Sequence, residues 1–253
     1  MSKTFLAEKN AHMRDKDISF EEGPHIYTIN GDSEYISVTT FVKSHFSKFD
    51  PEKALDMVFK SKNREKKYGN ATRDEIKNQW KKNGEDASAK GTYLHECIEY
   101  YYNGCLINNT SIEYKHFLDF AKKYEHLKPY RTEWMIYDTQ LRFAGSIDMI
   151  FENEDGTLSI YDWKRIKELN KSNNWNQWAL TPEIEHIPDS NFWHYSLQLN
   201  MYKAILEKNY NKTIKDMYLV CLHPNNEKFQ RVKVANLEKE IQSLLNLRIK
   251  CLK

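Results

Sequence analysis

The sequence predicts an α/β fold. Three observations point there: helical patterns run up to about Leu127, three strand-like runs follow between Arg131 and Lys164, and a helix and a strongly apolar strand come after them. Further elements are added at both ends.

Taken in order, Phe20 to Thr40 reads as a β-hairpin about Asn30-Gly31-Asp32, because Asn-Gly supplies the positive φ a tight turn demands. Thr39 or Thr40 is placed to cap a short helix through Phe46. Asp50-Pro51 is a capping pair for a helix to about Lys62: the carboxylate accepts from free backbone N–H groups, and Pro has none to leave unpaired. Lys62 to Asn70 reads as a charged loop, and Thr72 as the cap of a helix through Lys82. A long helix from about Asp86 to Tyr102 stops at Asn103-Gly104, and another runs from Ser111 to about Leu127 before Pro129.

Strands are expected at Arg131 to Tyr137, Leu141 to Phe151 and Leu158 to Lys164. The Gly-containing turn Asn153-Glu154-Asp155-Gly156 makes the last two antiparallel. Ile166 to Ser190 is long and irregular, a kind of loop that is functional or disordered when found inside a compact domain. A helix at Asn191 to Lys208, a strand at Ile214 to Leu222, its partner at Phe229 to Val234 and an amphipathic helix at Leu237 to Leu252 complete the chain. The expected division is 1–85, an N-terminal hairpin and basic helical region, packed on 86–253, the core.

The 253 residues suffice for a full core, and 40% hydrophobic with 29% charged residues excludes a disordered chain. No apolar run approaches a membrane span, and Met1-Ser2-Lys3-Thr4-Phe5 lacks a signal-peptide pattern, so an intracellular protein without a membrane partner is expected, a monomer by default. Cys97, Cys105, Cys221 and Cys251 show no metal-binding spacing. From Lys43 to Lys90 there are 13 Lys or Arg against 8 acids, a local excess of +5 in a chain of net +2. Such a stretch, with Lys66, Lys67 and Arg73, suits a polyanion; a solvated helical face explains any single lysine as well. Trp175 and Trp178 could stack on bases or pin their loop, and Arg165 is a further phosphate candidate.

The chemistry gathers between Gly145 and Lys164. Strand alternation puts Asp162 and Lys164 on one face, and the hairpin can bring Asp148 beside Asp162. Two such carboxylates repel unless a proton or a hard cation such as Mg2+ sits between them. The tripeptide alone says little, since Glu65/Lys67, Glu75/Lys77 and Glu113/Lys115 repeat it in helical segments; its place at the end of an apolar strand is what matters. His95 and Glu99 are four apart on one helical face, as are Gln198 and Tyr202. Glu133 is either a member of the metal shell or a surface acid paired with Arg131 or Lys164.

Gly91-x-x-x-His95-x-x-x-Glu99, Gly145-x-x-Asp148, Asp162-Trp163-Lys164 and Gln198-x-x-x-Tyr202, in that order, resemble the RecB-like branch of the PD-(D/E)XK nucleases. That branch includes CRISPR-associated exonucleases and the mitochondrial genome maintenance exonuclease. The resemblance implies a restriction-endonuclease-like core, with a mixed central sheet flanked by helices, and Mg2+- or Mn2+-dependent phosphodiester hydrolysis. It implies that His95, Asp148, Asp162 and the Trp163 carbonyl hold the metal, that Lys164 positions or activates water, and that Gln198 and Tyr202 support the site. Some members carry an iron–sulfur cluster on three clustered C-terminal cysteines; only Cys221 and Cys251 stand there, so none is expected. The reading is a deoxyribonuclease acting on single-stranded DNA or DNA ends. Its alternatives are a non-catalytic nucleic-acid-binding protein of the same fold and an RNA endonuclease using the same site.

Overall fold

The computed structural model describes residues 2–173 and 176–252. In chain order its elements are α1 (Phe5–Lys9), β1 (Ile18–Glu21), β2 (Ile26–Ile29), β3 (Ile36–Ser37), α2 (Val38–Ser44), α3 (Pro51–Lys60), α4 (Arg64–Tyr68), α5 (Arg73–Tyr102), α6 (Ile112–Lys123), β4 (Lys128–Asp138), β5 (Phe143–Glu152), β6 (Leu158–Lys164), α7 (Asn191–Asn209), β7 (Ile214–Cys221), β8 (Gln230–Lys233) and α8 (Glu238–Cys251). No helix among the described residues is long and apolar enough to cross a membrane.

The chain forms two compact units, one of Met1–Ser47 with Leu94–Lys253 and one of Lys48–Tyr93. This differs from the expected division at residue 85: the N-terminal hairpin groups with the sheet, and the second unit is an insertion. In that unit Asp50 accepts from the N–H groups of Glu52 and Lys53, so Pro51 opens α3 as expected. Two expectations fail there. The charged stretch after Lys62 contains α4, closed by Gly69 at φ +55°. The two helices expected from Thr72 and Asp86 are one, because Gly84 meets no clash and costs a solvated helix only about 1 kcal/mol.

In the first unit a mixed six-stranded sheet has the order β3-β5-β6-β7-β8, with β4 on the other edge of β5. One face packs on α2, α7 and α8 through residues such as Val42, Leu197, Leu199, Ile205, Leu219 and Leu244. The other packs on α6 and the end of α5, where Leu94, Ile98, Phe117 and Phe120 meet Phe151, Tyr161 and Trp163. Alternation along β6 explains the partition: Leu158 and Ile160 join the first cluster, Tyr161 and Trp163 the second. This is the α/β class expected.

The N-terminal hairpin forms, but from other strands. β1 pairs antiparallel with β2, while Asn30-Gly31 makes an isolated tight turn between Ile29 and Asp32, with φ +50° and +84°. The segment expected to return along β2 instead becomes β3 and pairs parallel to the start of β5, and Ser37 rather than Thr39 or Thr40 caps α2. An ion-pair network pins the N-terminal segment to β4: Asp15 bridges the buried Arg131 at 2.7 Å and the Trp134 indole at 2.9 Å.

β5 therefore changes partner along one edge. Its antiparallel ladder to β6 stops at Met149 and Tyr161, and β3 takes over at Phe143 and Ala144. Residues 145–148 between those points face a fork, because β6 continues to Lys164 alongside β7 alone. Such partner changes leave backbone and side chains free to meet a ligand, as in open α/β sheets.

Candidate active site

The fork begins one residue past the last β5–β6 pair, at the acids. Asp148 does not simply oppose Asp162: its Oδ2 accepts from the Trp163 N–H at 2.9 Å, replacing the ladder bond that β5 backbone no longer supplies. That bond fixes the carboxylate, and the Trp163 carbonyl, on the same edge of the strand as its N–H, meets His95 Nε2 at 2.8 Å. His95 Nδ1 lies 3.5 Å from Asp148 and 3.8 Å from Glu133. His95, Glu133 and Asp148 each offer one ligand atom, and these lie within 4.8 Å of one another.

Glu133 enters this group through an unusual backbone. It sits at φ +42° inside β4, between the cross-strand pairs Thr132–Met149 and Trp134–Ile147. A non-glycine residue there costs about 1–3 kcal/mol, a strain found at functional sites when surrounding structure enforces it. The Ser146 hydroxyl donates to Glu133 at 3.0 Å. Arg131 is held by Asp15 and Lys164 by Asp162, so neither paired-acid alternative for Glu133 occurs.

Asp162 is buried and meets the Lys164 ammonium through Oδ2 at 2.7 Å. Burial, with Asp148 nearby, pushes its pKa up to about 6 despite Lys164. Burial alone would discharge Lys164, but Asp162 and Asp148 hold it above its ordinary value. His95 shows the same contest: burial disfavours its cation, and Asp148 and Glu133 outweigh it, giving about 9. A fork holding this much negative charge draws protons onto its bases, and would draw a cation.

Over residues 55–250, more than three quarters of its length, the chain matches the profile of the PD-(D/E)XK nuclease superfamily. The chain belongs to this superfamily. No curated protein matches it. Among solved structures, a Eubacterium rectale protein provisionally named an exonuclease is similar at 12% identity and TM-score 0.39, covering 64% of each chain; this chain thus spans less than two thirds of that one. The structure of SSO0001 is similar at 14% identity and TM-score 0.35, over 99% of this chain and 84% of that one.

The remaining candidates in this member of the PD-(D/E)XK superfamily divide. Gln198 donates to the Tyr202 hydroxyl at 3.2 Å, and the Tyr202 ring packs where Gly145 has no side chain. Both therefore border the fork from α7. Glu99 lies one turn beyond His95; burial, then Glu133, raise its pKa, but it is not part of the three-residue cluster. Arg165 is tied to Glu113 at 2.7 Å. Lys66 and Lys67 lie on α4 and Arg73 opens α5, all in the second unit, where Arg73 is paired with Glu52 and Asp56. Trp178 is half exposed and bridges Pro188, which favours pinning its loop. Trp175 lies outside the described residues.

Two aromatic neighbours were not foreseen. Tyr195 lies under Lys164, whose Nζ is 4.6 Å from the ring centre. Its spacing of three and seven residues before Gln198 and Tyr202 marks one helical face, a signal present in the sequence. Tyr27 on β2 bonds the Ser146 backbone, and burial, with Glu133 and Asp148, pushes its pKa up to about 12. That contact spans more than a hundred residues and has no local signature.

Proposed function

We propose that this nuclease is a divalent-metal-dependent deoxyribonuclease that hydrolyses phosphodiester bonds, acting on single-stranded DNA or DNA ends. The observation that carries the reading is the fork itself: Asp148, the Trp163 carbonyl and His95 meet where β5 and β6 part, and Asp162 at the same fork pairs with a lysine kept charged.

The donor set suits Mg2+ or Mn2+. Oxygens dominate it, a single imidazole is compatible with Mn2+, and Asp162 is a buried carboxylate met by one ammonium. Asp148, Asp162, His95 and the Trp163 carbonyl are the proposed ligands, with Glu133 beside them. When bound, such a cation supplies positive charge to the scissile phosphate and acidifies water.

The chain's own groups do the rest. The Lys164 ammonium, placed by Asp162, stabilises charge developing on the phosphate. Tyr195 and Asp162 fix that ammonium in place. The Gln198–Tyr202 pair holds α7 against Gly145, keeping the fork at its width.

The test uses end-labelled single-stranded DNA, double-stranded DNA and RNA, each with Mg2+, Mn2+ or chelator. Single-stranded DNA shortened from its ends with either metal, and intact with chelator, is the expected result. Internal cuts in RNA alone would move the assignment to an RNA endonuclease, and intact substrates throughout would end the nuclease reading.

A further inference from the structure

We propose that the cleft between α2 and α7 is the subsite for the nucleotide next to the scissile bond, with the Lys43 ammonium taking that nucleotide's phosphate. The inference rests on the nuclease reading and deepens it by naming where the substrate strand lies.

The cleft is a cavity of about 110 Å3, lined by Thr39, Val42 and Lys43 from α2 and by His194, Tyr195 and Gln198 from α7. It shares two walls with the fork. Tyr195 carries the Lys164 ammonium over its ring, and Gln198 donates to Tyr202. A strand whose scissile phosphate meets Lys164 thus has a continuation at hand along Tyr195.

The lining suits a sugar–phosphate unit. Lys43 is exposed in the last turn of α2, and no carboxylate among the described residues forms an ion pair with it. His194 is held by Asp189 at 2.9 Å and by Phe46, whose ring centre is 4.0 Å away. Burial depresses the imidazole's pKa in spite of Asp189, so Lys43 is the one cation of the lining and matches the single charge of a diester. Val42 and the Tyr195 ring offer an apolar wall for a sugar. The volume is well below the roughly 300 Å3 at which drug-sized sites begin, which leaves the base outside and the contact indifferent to sequence.

The test uses the full chain and a fluorescein-labelled single-stranded oligonucleotide, read by anisotropy with Ca2+ and by cleavage with Mg2+. Lys43→Ala is expected to weaken binding about five- to tenfold and to reduce the slope of log affinity against log salt by about 0.7, one single-strand phosphate contact. KM should rise by a similar factor with kcat kept, and Lys43→Arg should restore both. A methylphosphonate at the linkage beside the cut should cost wild type the same factor and cost Lys43→Ala nothing further.

Losses that simply multiply, or a Lys43→Ala protein with wild-type affinity and salt slope, would overturn the subsite while leaving a nuclease that binds and cleaves. A wild-type protein that neither binds nor cleaves the oligonucleotide would overturn the nuclease reading, and the subsite with it.

Discussion

Asp162→Asn is expected to reduce cleavage at least about a thousandfold, a loss of roughly 4 kcal/mol in transition-state stabilisation. Two consequences follow from one atom. The substitution removes a charge proposed to hold the cation and removes the ion pair that positions Lys164. The fold should survive, because Asn is nearly isosteric and because burial already makes the carboxylate costly, as its pKa near 6 records. Single-turnover cleavage and a melting curve, taken together, check this. Wild-type turnover in Asp162→Asn would remove Asp162 from the site, whereas an unfolded variant would show that the ion pair with Lys164 is structural first.

Gly145→Ala should damage both stability and activity. A Cβ there would lie 2.7 Å from Tyr202 Cε1 and 3.2–3.3 Å from its Oη and Cζ. The ring cannot swing away, being buried and bonded through its hydroxyl to Gln198. Overpacking of this kind costs about 1–3 kcal/mol, or roughly 5 °C in melting temperature for a chain of this size. The strain falls on the residues between the β3 and β6 pairings, so Asp148 shifts with it; displacements near 1 Å reduce turnover on the order of a hundredfold. In a Tyr202→Ala background the same substitution should cost almost nothing in stability, because the obstructing ring is gone. A G145A protein that melts and cleaves like wild type would contradict the close approach.

Short-range rules account for most of what the sequence revealed about this site. The turn at Asn153-Glu154-Asp155-Gly156 and strand alternation predict the β5–β6 hairpin and the pairing of Asp162 with Lys164; helical spacing predicts that Gln198 and Tyr202 share a face. The same local reasoning misses what depends on distant partners. Nothing near Ile36 announces that β3 lies parallel to β5, yet that pairing opens the fork. Alternation also suggests that the two acids face each other directly, whereas the end of the ladder turns Asp148 to the Trp163 N–H. The strained backbone at Glu133 likewise has no counterpart in residue type, since glutamate does not favour positive φ.

Helical propensity misleads at the second unit for a related reason. Lys62 to Asn70 carries enough charge to read as loop, but Arg64 stacks on Phe59 and bonds the Ala71 carbonyl, which steadies one turn of helix. The boundary of the unit then falls within α5, two residues after Gly91, which does not interrupt the helix.

The claim on which the account depends is that the fork binds a divalent cation through Asp148, Asp162, the Trp163 carbonyl and His95. Anomalous diffraction from crystals soaked in Mn2+ tests it most directly. The account predicts a peak in direct ligand contact with both Asp148 and Asp162, lost in Asp162→Asn crystals. A peak held by His95, Glu133 and Asp148 without Asp162, or no peak in the fork at all, would contradict it.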